Sequence, residues 1–426
     1  MPEERGRVLV TDAGRGSAVS IIRSLGRANW HVIAGDADQY SPGFYSKYAH
    51  RALRYTSPAN DSKRFVDELV QLARTERLDI IIPVTDEAIL PLAAGRSRFP
   101  RSTQLAIPND EQLRAVHDKV ATLTLAERLG VPIPRTELVT TVGEAARHCR
   151  RLGWPVVLKP RHSRVHLDNR IIARQVQYAS SLRELADAFA SAGNGSEFLL
   201  QEYWAGEGHG VELLLDRGEP RLAFQHRRLR EVPPSGGPSS YREAVSLDPL
   251  LLEHATLLLR ELGWTGLAMV EFKCGVRGAR LMEINGRIWG SLPLAVASGV
   301  DFPLHLAELM MGRTLSDLPS SYVIGRKRRN MELEVAWVAQ VLFSKRDSSE
   351  SASRTPRRRA LALLMELSLA WREMDNYWED DLRPLAAEVL RAAGRLQRKL
   401  GFHLVRRQWP LSQALRRLVE RIFAHI

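Results

Sequence analysis

The sequence predicts a mixed protein, α/β in its first part and α+β in its second. An N-terminal parallel sheet with helices on both faces comes first, then a half built on antiparallel hairpins, then a basic helical extension. Three observations predict this. Between Gly6 and about Pro108, short apolar runs alternate with helical patterns, as parallel strands joined by crossover helices do. From Trp154 to Arg287, apolar strands come in pairs separated by turn residues, which suits hairpins. Beyond Val323 the chain turns Arg-rich, with apolar residues at helical spacing.

Composition bounds the rest. A chain of 426 residues has room for two to four domains, and 44% apolar with 26% charged residues is ordinary for a globular protein. Cys149 and Cys274 are the only cysteines and have no metal-ligand spacing, so a reducing cytoplasm is expected. The start, "MPEERGRVLVTDAG", is charged and runs into a strand, unlike a signal peptide. The longest apolar run, "ALALLMELSLAW" from Ala360, contains Glu366 and is too short to span a bilayer. The net charge of +12 is uneven: from Gly325 onward 21 Lys and Arg face 12 Asp and Glu.

In chain order, "RVLVTDA", "WHVIAGD" and "DIIIPVTDE" read as buried strands, with helices after the first and around Phe65 to Arg77. The turn Gly14–Ser17 invites a dinucleotide reading, but Val19 stands where the G-x-G-x-x-G spacing needs glycine. A Rossmann-like domain serving as scaffold is the expectation. Asn109 to Pro134 reads as helical, ending in "GVPIP". "WPVVLKP" and "EFLLQEYWAGEG" are strands with the helix "SSLRELADAFASAG" between them, and "GVELLLDRGEPRLAFQHRRLRE" is a hairpin turning at D-R-G. After a helix at about Pro249 to Leu262, "GLAMVEFKCG" and "ARLMEINGR" form another strand pair. In the tail, "SKRDSSESASRTPRRR" reads as a loop. Helices are expected at Ala360–Glu373, at Leu385–Leu400 with Leu385, Val389, Ala393, Leu396 and Leu400 on one face, and in "SQALRRLVERIFAHI".

The chemistry concentrates in "LMEINGRIWGS", Leu281 to Ser291. Glu283, Asn285 and Arg287 alternate in an apolar strand, so all three project to one face. A buried carboxylate without a partner costs several kcal/mol. Glu271 in "MVEFK" lies on the preceding strand, where a hairpin can set it beside Glu283. Two adjacent carboxylates repel unless a cation intervenes, and carboxylate and amide oxygens suit Mg²⁺. A salt-bridge network with Arg287 is the structural alternative. Lys159 closes the buried strand "PVVLK" and Lys119 opens a helix, where each could meet a phosphate or be paired or solvated. In "QEYWAGEG", Gln201 to Gly208, the backbone at a strand end can read an adenine edge, with Tyr203 and Trp204 as walls and Glu207 near a ribose. The alternative is aromatic packing with a surface glutamate.

This order of parts resembles the ATP-grasp superfamily over roughly Val8 to Thr314. The resemblance implies a Rossmann-like N-terminal domain over 1–108 and a two-lobed ATP-grasp fold over 109–322. The small lobe would span about 135–203 and the large lobe 204–322, with the basic helical region at 323–426. By resemblance, Lys119 and Lys159 bind nucleotide phosphates, Gln201, Glu202, Tyr203 and Trp204 form the adenine hinge, and Glu207 meets the ribose. Glu271, Glu283 and Asn285 would be the magnesium ligands, with Mn²⁺ an alternative metal. Arg287 is similar to the arginine that members use near the acyl phosphate, so it and Lys159 are the catalytic candidates. "FQHRRLREVPPSGG" resembles the segment leading to substrate, which makes Arg227, Arg228 and Arg230 substrate candidates. Two departures stand out. "PRHSRVHLDNR" lacks the glycines with which members cover the phosphates, and Gly208 occupies the position where many relatives place the ribose acid.

The resemblance implies an ATP-dependent ligase that activates a carboxylate as an acyl phosphate and joins it to an amine. A bicarbonate-activating carboxylase or carbamoyl-phosphate-type kinase is the alternative, although no biotin-attachment Met-Lys-Met pattern occurs. A third reading is a nucleotide-binding protein acting through its tail. That tail could lie on an anionic membrane surface, meet an acidic partner or cap the fold. Nucleic acid is not expected. A homodimer is open, since dimers are common among members.

Overall fold

The computed structural model describes residues 4–167, 170–192, 197–233, 236–343, 362, 366 and 370–400. Its first unit runs β1 (Arg7–Val10), α1 (Gly16–Arg27), β2 (His31–Asp36), β3 (Arg51–Arg54), α2 (Ser62–Thr75), β4 (Ile80–Ile82), α3 (Asp86–Ala94) and β5 (Gln104–Leu105). The strands form one sheet in the order β3-β2-β1-β4-β5, parallel throughout. Val8, Val10, Ile80 and Ile82 bury on one face against α1, while Leu9, Ile33 and Ile81 bury on the other with Phe65 and Leu69 of α2. Burial on both faces is why these strands are continuously apolar. The edge strands β3 and β5 escape the sequence pattern because "RALR" and "QL" are charged or short.

Two helices follow within the stretch expected to be helical, α4 (Asp110–His117) and α5 (Lys119–Arg128). Asp118 leaves helical geometry (φ −90°, ψ 106°) and its side chain accepts from the Val120 amide at 2.9 Å. It thereby caps α5, and Lys119 becomes that helix's first residue.

The next unit contains β6 (Thr136–Val139), α6 (Val142–Leu152), β7 (Val156–Pro160), β8 (Arg164–Leu167), β9 (Arg170–Ala173), β10 (Gln177–Ala179), α7 (Leu182–Ala192) and β11 (Phe198–Glu202). Four strands form an antiparallel sheet ordered β10-β7-β11-β6. Val156, Leu158, Phe198 and Leu200 pack with residues of α6 and α7. Alternation therefore sends Val157, Lys159, Leu199 and Gln201 to the opposite face. The glycine-free stretch after Lys159, expected as a loop, is the two-stranded hairpin β8–β9.

The third unit holds β12 (Glu207–Asp216), β13 (Glu219–Glu231), β14 (Ser239–Ala244), α8 (Pro249–Glu261), β15 (Gly266–Gly275), β16 (Gly278–Asn285), α9 (Leu292–Ala297), α10 (Phe302–Met310) and β17 (Lys327–Arg329). They build a six-stranded antiparallel sheet, β16-β15-β12-β13-β14-β17. The turn between β12 and β13 uses left-handed backbone at Arg217 and Gly218 (φ 51° and 83°), as a tight hairpin requires. One face packs on α5 and α8, and the other shares a core with α9, α10 and α1. That shared core ties the first sheet to the third.

The basic C-terminal stretch departs most from expectation. "KRR" at 327–329 is an edge strand of the large sheet, and Arg329 is 1% exposed. Its guanidinium meets Glu334 at 3.3 Å, Glu373 at 2.8 Å and Glu366, and lies 3.6 Å from the Tyr241 ring centroid. After α11 (Met331–Phe343), residues 371–400 run back along the first unit, ending in α12 (Arg383–Leu400). Asp381 pairs with Arg23 of α1 at 2.9 Å, and Asp375 pairs with Arg242. On α12, Pro384, Ala387 and Glu388 are buried while Val389 is 40% exposed. The expected face through Leu385 and Val389 is thus rotated, because Glu388 is satisfied by Asn376 at 3.0 Å and can turn inward. The expected loop at 344–359, most of the helix expected at Ala360–Glu373 and the last amphipathic segment lie outside the described residues. No described helix is long and apolar enough to cross a membrane.

Candidate active site

The three units enclose a cavity of about 510 Å³. The small sheet contributes its uncovered face, the large sheet contributes β13, β15 and β16, and the first unit contributes the starts of α1 and α3.

Register explains the acids. Glu271 on β15 pairs directly with Glu283 on β16. Asn285 lies two residues on, and its Nδ2 donates to Glu271 Oε1 at 2.9 Å and to Glu283 Oε1 at 3.3 Å. The two carboxylates titrate in opposite directions. Burial raises the Glu271 pKa, with Arg228 opposing and Glu283 adding to the rise. Burial also acts on Glu283, but Lys119, Lys159 and Arg287 outweigh it and hold its carboxyl below the ordinary value. Two partly buried carboxylates, each bonded by the same amide, form a hard-oxygen donor set. Mg²⁺ fits them, since it binds through one or two carboxylates and completes its shell with phosphates and water. A half-turn of the Asn285 amide would present its oxygen.

The lysines converge on the same acids. Lys159 Nζ lies 3.5 Å from the Met282 carbonyl, and burial lowers its pKa to about 8 despite the pull of Glu283. Lys119 is buried and donates to Ser163 Oγ at the entrance of the β8–β9 hairpin. Arg161 fixes that entrance by pairing with Asp118 at 2.7 Å and Glu197 at 3.2 Å.

Arg287 donates from Nε to Asp86 Oδ2 at 3.0 Å. Asp86 is partly buried, which raises its carboxyl pKa, yet Arg287 and His117 outweigh this and keep it below the ordinary value. The structure thus brings Lys159, Glu271, Glu283 and Arg287 together around the cavity, with Lys119 and Asn285 in a smaller pocket that shares Lys159 and Glu283 with it.

At the hinge, Gln201 Nε2 donates to Thr136 Oγ1 at 2.9 Å, and the Glu202 carboxylate accepts from the Arg135 backbone at 2.9 Å and its Nε at 3.0 Å. Both side chains are committed to structure, so what this strand end offers a ligand is its backbone. Tyr203 and Trp204 also line the cavity. The Trp204 ring carries Arg277 at 3.9 Å and Arg280 at 4.1 Å from its centroid. Glu207 is placed differently. It points to His209 and Arg227 at 3.9 and 3.7 Å and does not line the cavity, whereas Gly208 does.

Of the three substrate arginines, Arg228 alone lines the cavity among the described residues. It pairs with Glu271 at 2.5 Å and Glu231 at 3.1 Å. Arg227 faces the other way, as its neighbour on a strand must, and binds Glu243 at 2.7 Å. Arg230 follows a register shift in β13 and turns to Glu334 and Trp337 of α11. Sequence reasoning missed Asp86 and Glu231. Asp86 resembles an ordinary first-turn acid, and Glu231 is hidden behind three arginines; the available signal was an acid at the C-terminal end of a buried strand.

Parts of the chain are similar to known proteins. A family profile described as "ATP-grasp in the biosynthetic pathway with Ter operon" matches residues 194–339. A formate-dependent phosphoribosylglycinamide formyltransferase of Ignicoccus hospitalis is 28% identical over 148 residues, covering 34% of this chain and 33% of that one. A D-alanine–D-alanine ligase of Marinobacter nauticus is 32% identical over 108 residues, 25% of this chain and 31% of that one. The chain thus spans about a third of the length of these relatives. The biotin carboxylase of Campylobacter jejuni, solved with β,γ-ATP, superposes with a TM-score of 0.60 at 17% identity. That likeness, in fold alone, covers 76% of this chain and 74% of that one.

Proposed function

We propose that the chain is an ATP-grasp enzyme, as the profile match and the relatives support, and that it is an ATP-dependent ligase that joins a carboxylate to an amine through an acyl phosphate. The observation that carries this reading is the direct cross-strand pairing of Glu271 with Glu283 beneath Lys119, Lys159 and Arg287. No activated Ser or Cys is needed, since phosphoryl transfer is achieved by positioning and charge stabilisation.

In this reading the triphosphate lies between the small sheet and β16. Lys119 and Lys159 hold its α- and β-phosphates, and the backbone after Gln201 reads the adenine. Magnesium held by Glu271, Glu283 and Asn285 would neutralise charge on the β- and γ-phosphates. A substrate carboxylate oxygen attacks the γ-phosphorus, the bond to the β-phosphate oxygen breaks and ADP leaves. Arg287, held by Asp86, donates N–H groups to the transferring group or to the acyl phosphate. The amine then attacks the acyl carbon, inorganic phosphate leaves and the amine loses a proton. The β8–β9 hairpin, anchored by Arg164 to Glu87 at 2.8 Å, covers the phosphates with side chains where glycines are lacking. The parallel N-terminal sheet serves as a Rossmann-like scaffold that supplies the acceptor side of the cavity.

For the C-terminal region, Arg329, Asp375 and Asp381 are built into the body, which supports a cap over attachment to an anionic surface or an acidic partner. A cytoplasmic enzyme acting on small molecules is the accompanying reading.

Hydroxylamine trapping tests the chemistry. With Mg·ATP and a panel of single carboxylates, an acyl phosphate is captured as a hydroxamate. Bicarbonate-dependent ADP release without a hydroxamate from any carboxylate would move the reading to the carboxylase class.

A further inference from the structure

The glycine turn Gly14–Ser17 has no part in the nucleotide site above, yet it opens α1 onto the acceptor side of the cavity. Arg15 is the residue before the first turn. Its backbone is extended, its side chain does not cap the helix, and no acid lies in the first turn. A helix start without a cap presents free N–H groups and partial positive charge. Ser17 lines the cavity and is 4% exposed, and its hydroxyl has no hydrogen-bond partner within the described protein. The cavity's other arginines are committed: Arg164 to Glu87, Arg228 to Glu231 and Glu271, and Arg287 to Asp86. Arg15, also lining the cavity, forms no direct ion pair among the described residues and acts on the Asp12 carboxylate only through space.

The C-terminal segment fixes this turn from behind. Arg391 donates to the Gly14 carbonyl at 3.1 Å, and Asp36 accepts from the Gly14 amide at 2.6 Å. A Cβ on Gly16 would lie 3.0 Å from the Asp375 Cβ, so glycine there lets the segment close up. The Asp375 carboxylate is itself occupied by Arg242 and by Asn330 at 3.4 Å. Backed in this way, the uncapped helix start faces the cavity.

We infer that Arg15, Ser17 and the first-turn amides of α1 form a subsite for an oxyanion of the acceptor substrate, a carboxylate or phosphate group not consumed in the reaction. An anion there would gain the helix start, one hydroxyl donor and one guanidinium. The assignment to the acceptor rests on the ligase reading, but the subsite can be tested without turnover.

The test saturates the protein with magnesium and the β,γ-imido analogue of ATP, which fills the γ-phosphate position. Inorganic phosphate and malonate are then titrated by calorimetry into wild type, Arg15→Ala, Arg15→Lys and Ser17→Ala. The expectation is that one of the two anions binds wild type, that Arg15→Ala and Ser17→Ala each weaken it about tenfold, and that Arg15→Lys retains part of the affinity. Which anion binds tells phosphate from carboxylate. Equal binding by all four proteins, or binding of neither anion to wild type, would overturn the subsite. If the nucleotide analogue itself fails to bind, the ligase reading falls, and the same titration without it still reads the subsite.

Discussion

Glu271 and Glu283 face each other across the β15–β16 ladder, yet their environments push their protonation apart. Arg228 reaches the first, and Lys119, Lys159 and Arg287 the second, so these side-chain cations already offset part of the repulsion between the two carboxylates, and a metal ion bound there would share the pair with them.

Replacing either acid with its isosteric amide removes charge and leaves packing nearly intact. Glu283→Gln is expected to lower turnover about 100-fold or more, with Glu271→Gln less severe because Arg228 already shares that carboxylate. Steady-state kinetics at several magnesium concentrations would check the order.

Lys159 gives a pH signature. Its pKa falls from 10.5 to about 8 on burial, so the free protein loses this charge as pH rises past about 8. The KM for Mg·ATP should therefore climb above that pH, and Lys159→Arg, which stays charged, should flatten the rise. Stability should move oppositely. Between about 8 and 10.5 the unfolded chain holds the proton that the folded one has released, so this group's penalty, complete below that window, is relieved as pH increases.

Glu388 has the reverse sign. Burial, with Asp375 adding to it, raises its pKa to about 8. The folded protein keeps a proton that the unfolded chain gives up above the ordinary value of 4.5, so its contribution declines as pH rises through 4.5 to 8. Glu388→Gln should raise the melting temperature at pH 8 by a few degrees and have little effect at pH 5, as thermal scans at both values would reveal.

Arg329 is the anchor of the C-terminal region. Truncating it leaves Glu334 buried with Arg230 as its remaining partner, so the loss should stay below the roughly 3–5 kcal/mol typical of a buried pair broken outright. Arg329→Ala should therefore lower the denaturation midpoint and make residues 371–400 more open to proteolysis. Resistance equal to wild type would mean that the segment is held elsewhere.

What was legible in the sequence was whatever broke a local rule. A lysine closing "PVVLK" and three polar residues alternating in "EINGR" contradict a buried strand, and both lie in the cavity or in the smaller pocket that adjoins it. Long-range compensation was not legible. "KRR" at 327–329 looks like solvated charge, because Glu334, Glu366, Glu373 and the Tyr241 ring that absorb Arg329 are scattered along the chain. Asp86 could not be told from a helix-start acid without Arg287, which lies 201 residues away. The run "RRLR" suggested three equal substrate arginines, but strand alternation and one register shift leave only Arg228 facing the cavity.

The most direct measurement of the central claim is ADP release from Mg·ATP against single carboxylates and carboxylate–amine pairs, with Glu283→Gln alongside. The account predicts turnover that requires both partners and vanishes in the variant. Full turnover by Glu283→Gln with a pair that wild type accepts would contradict it.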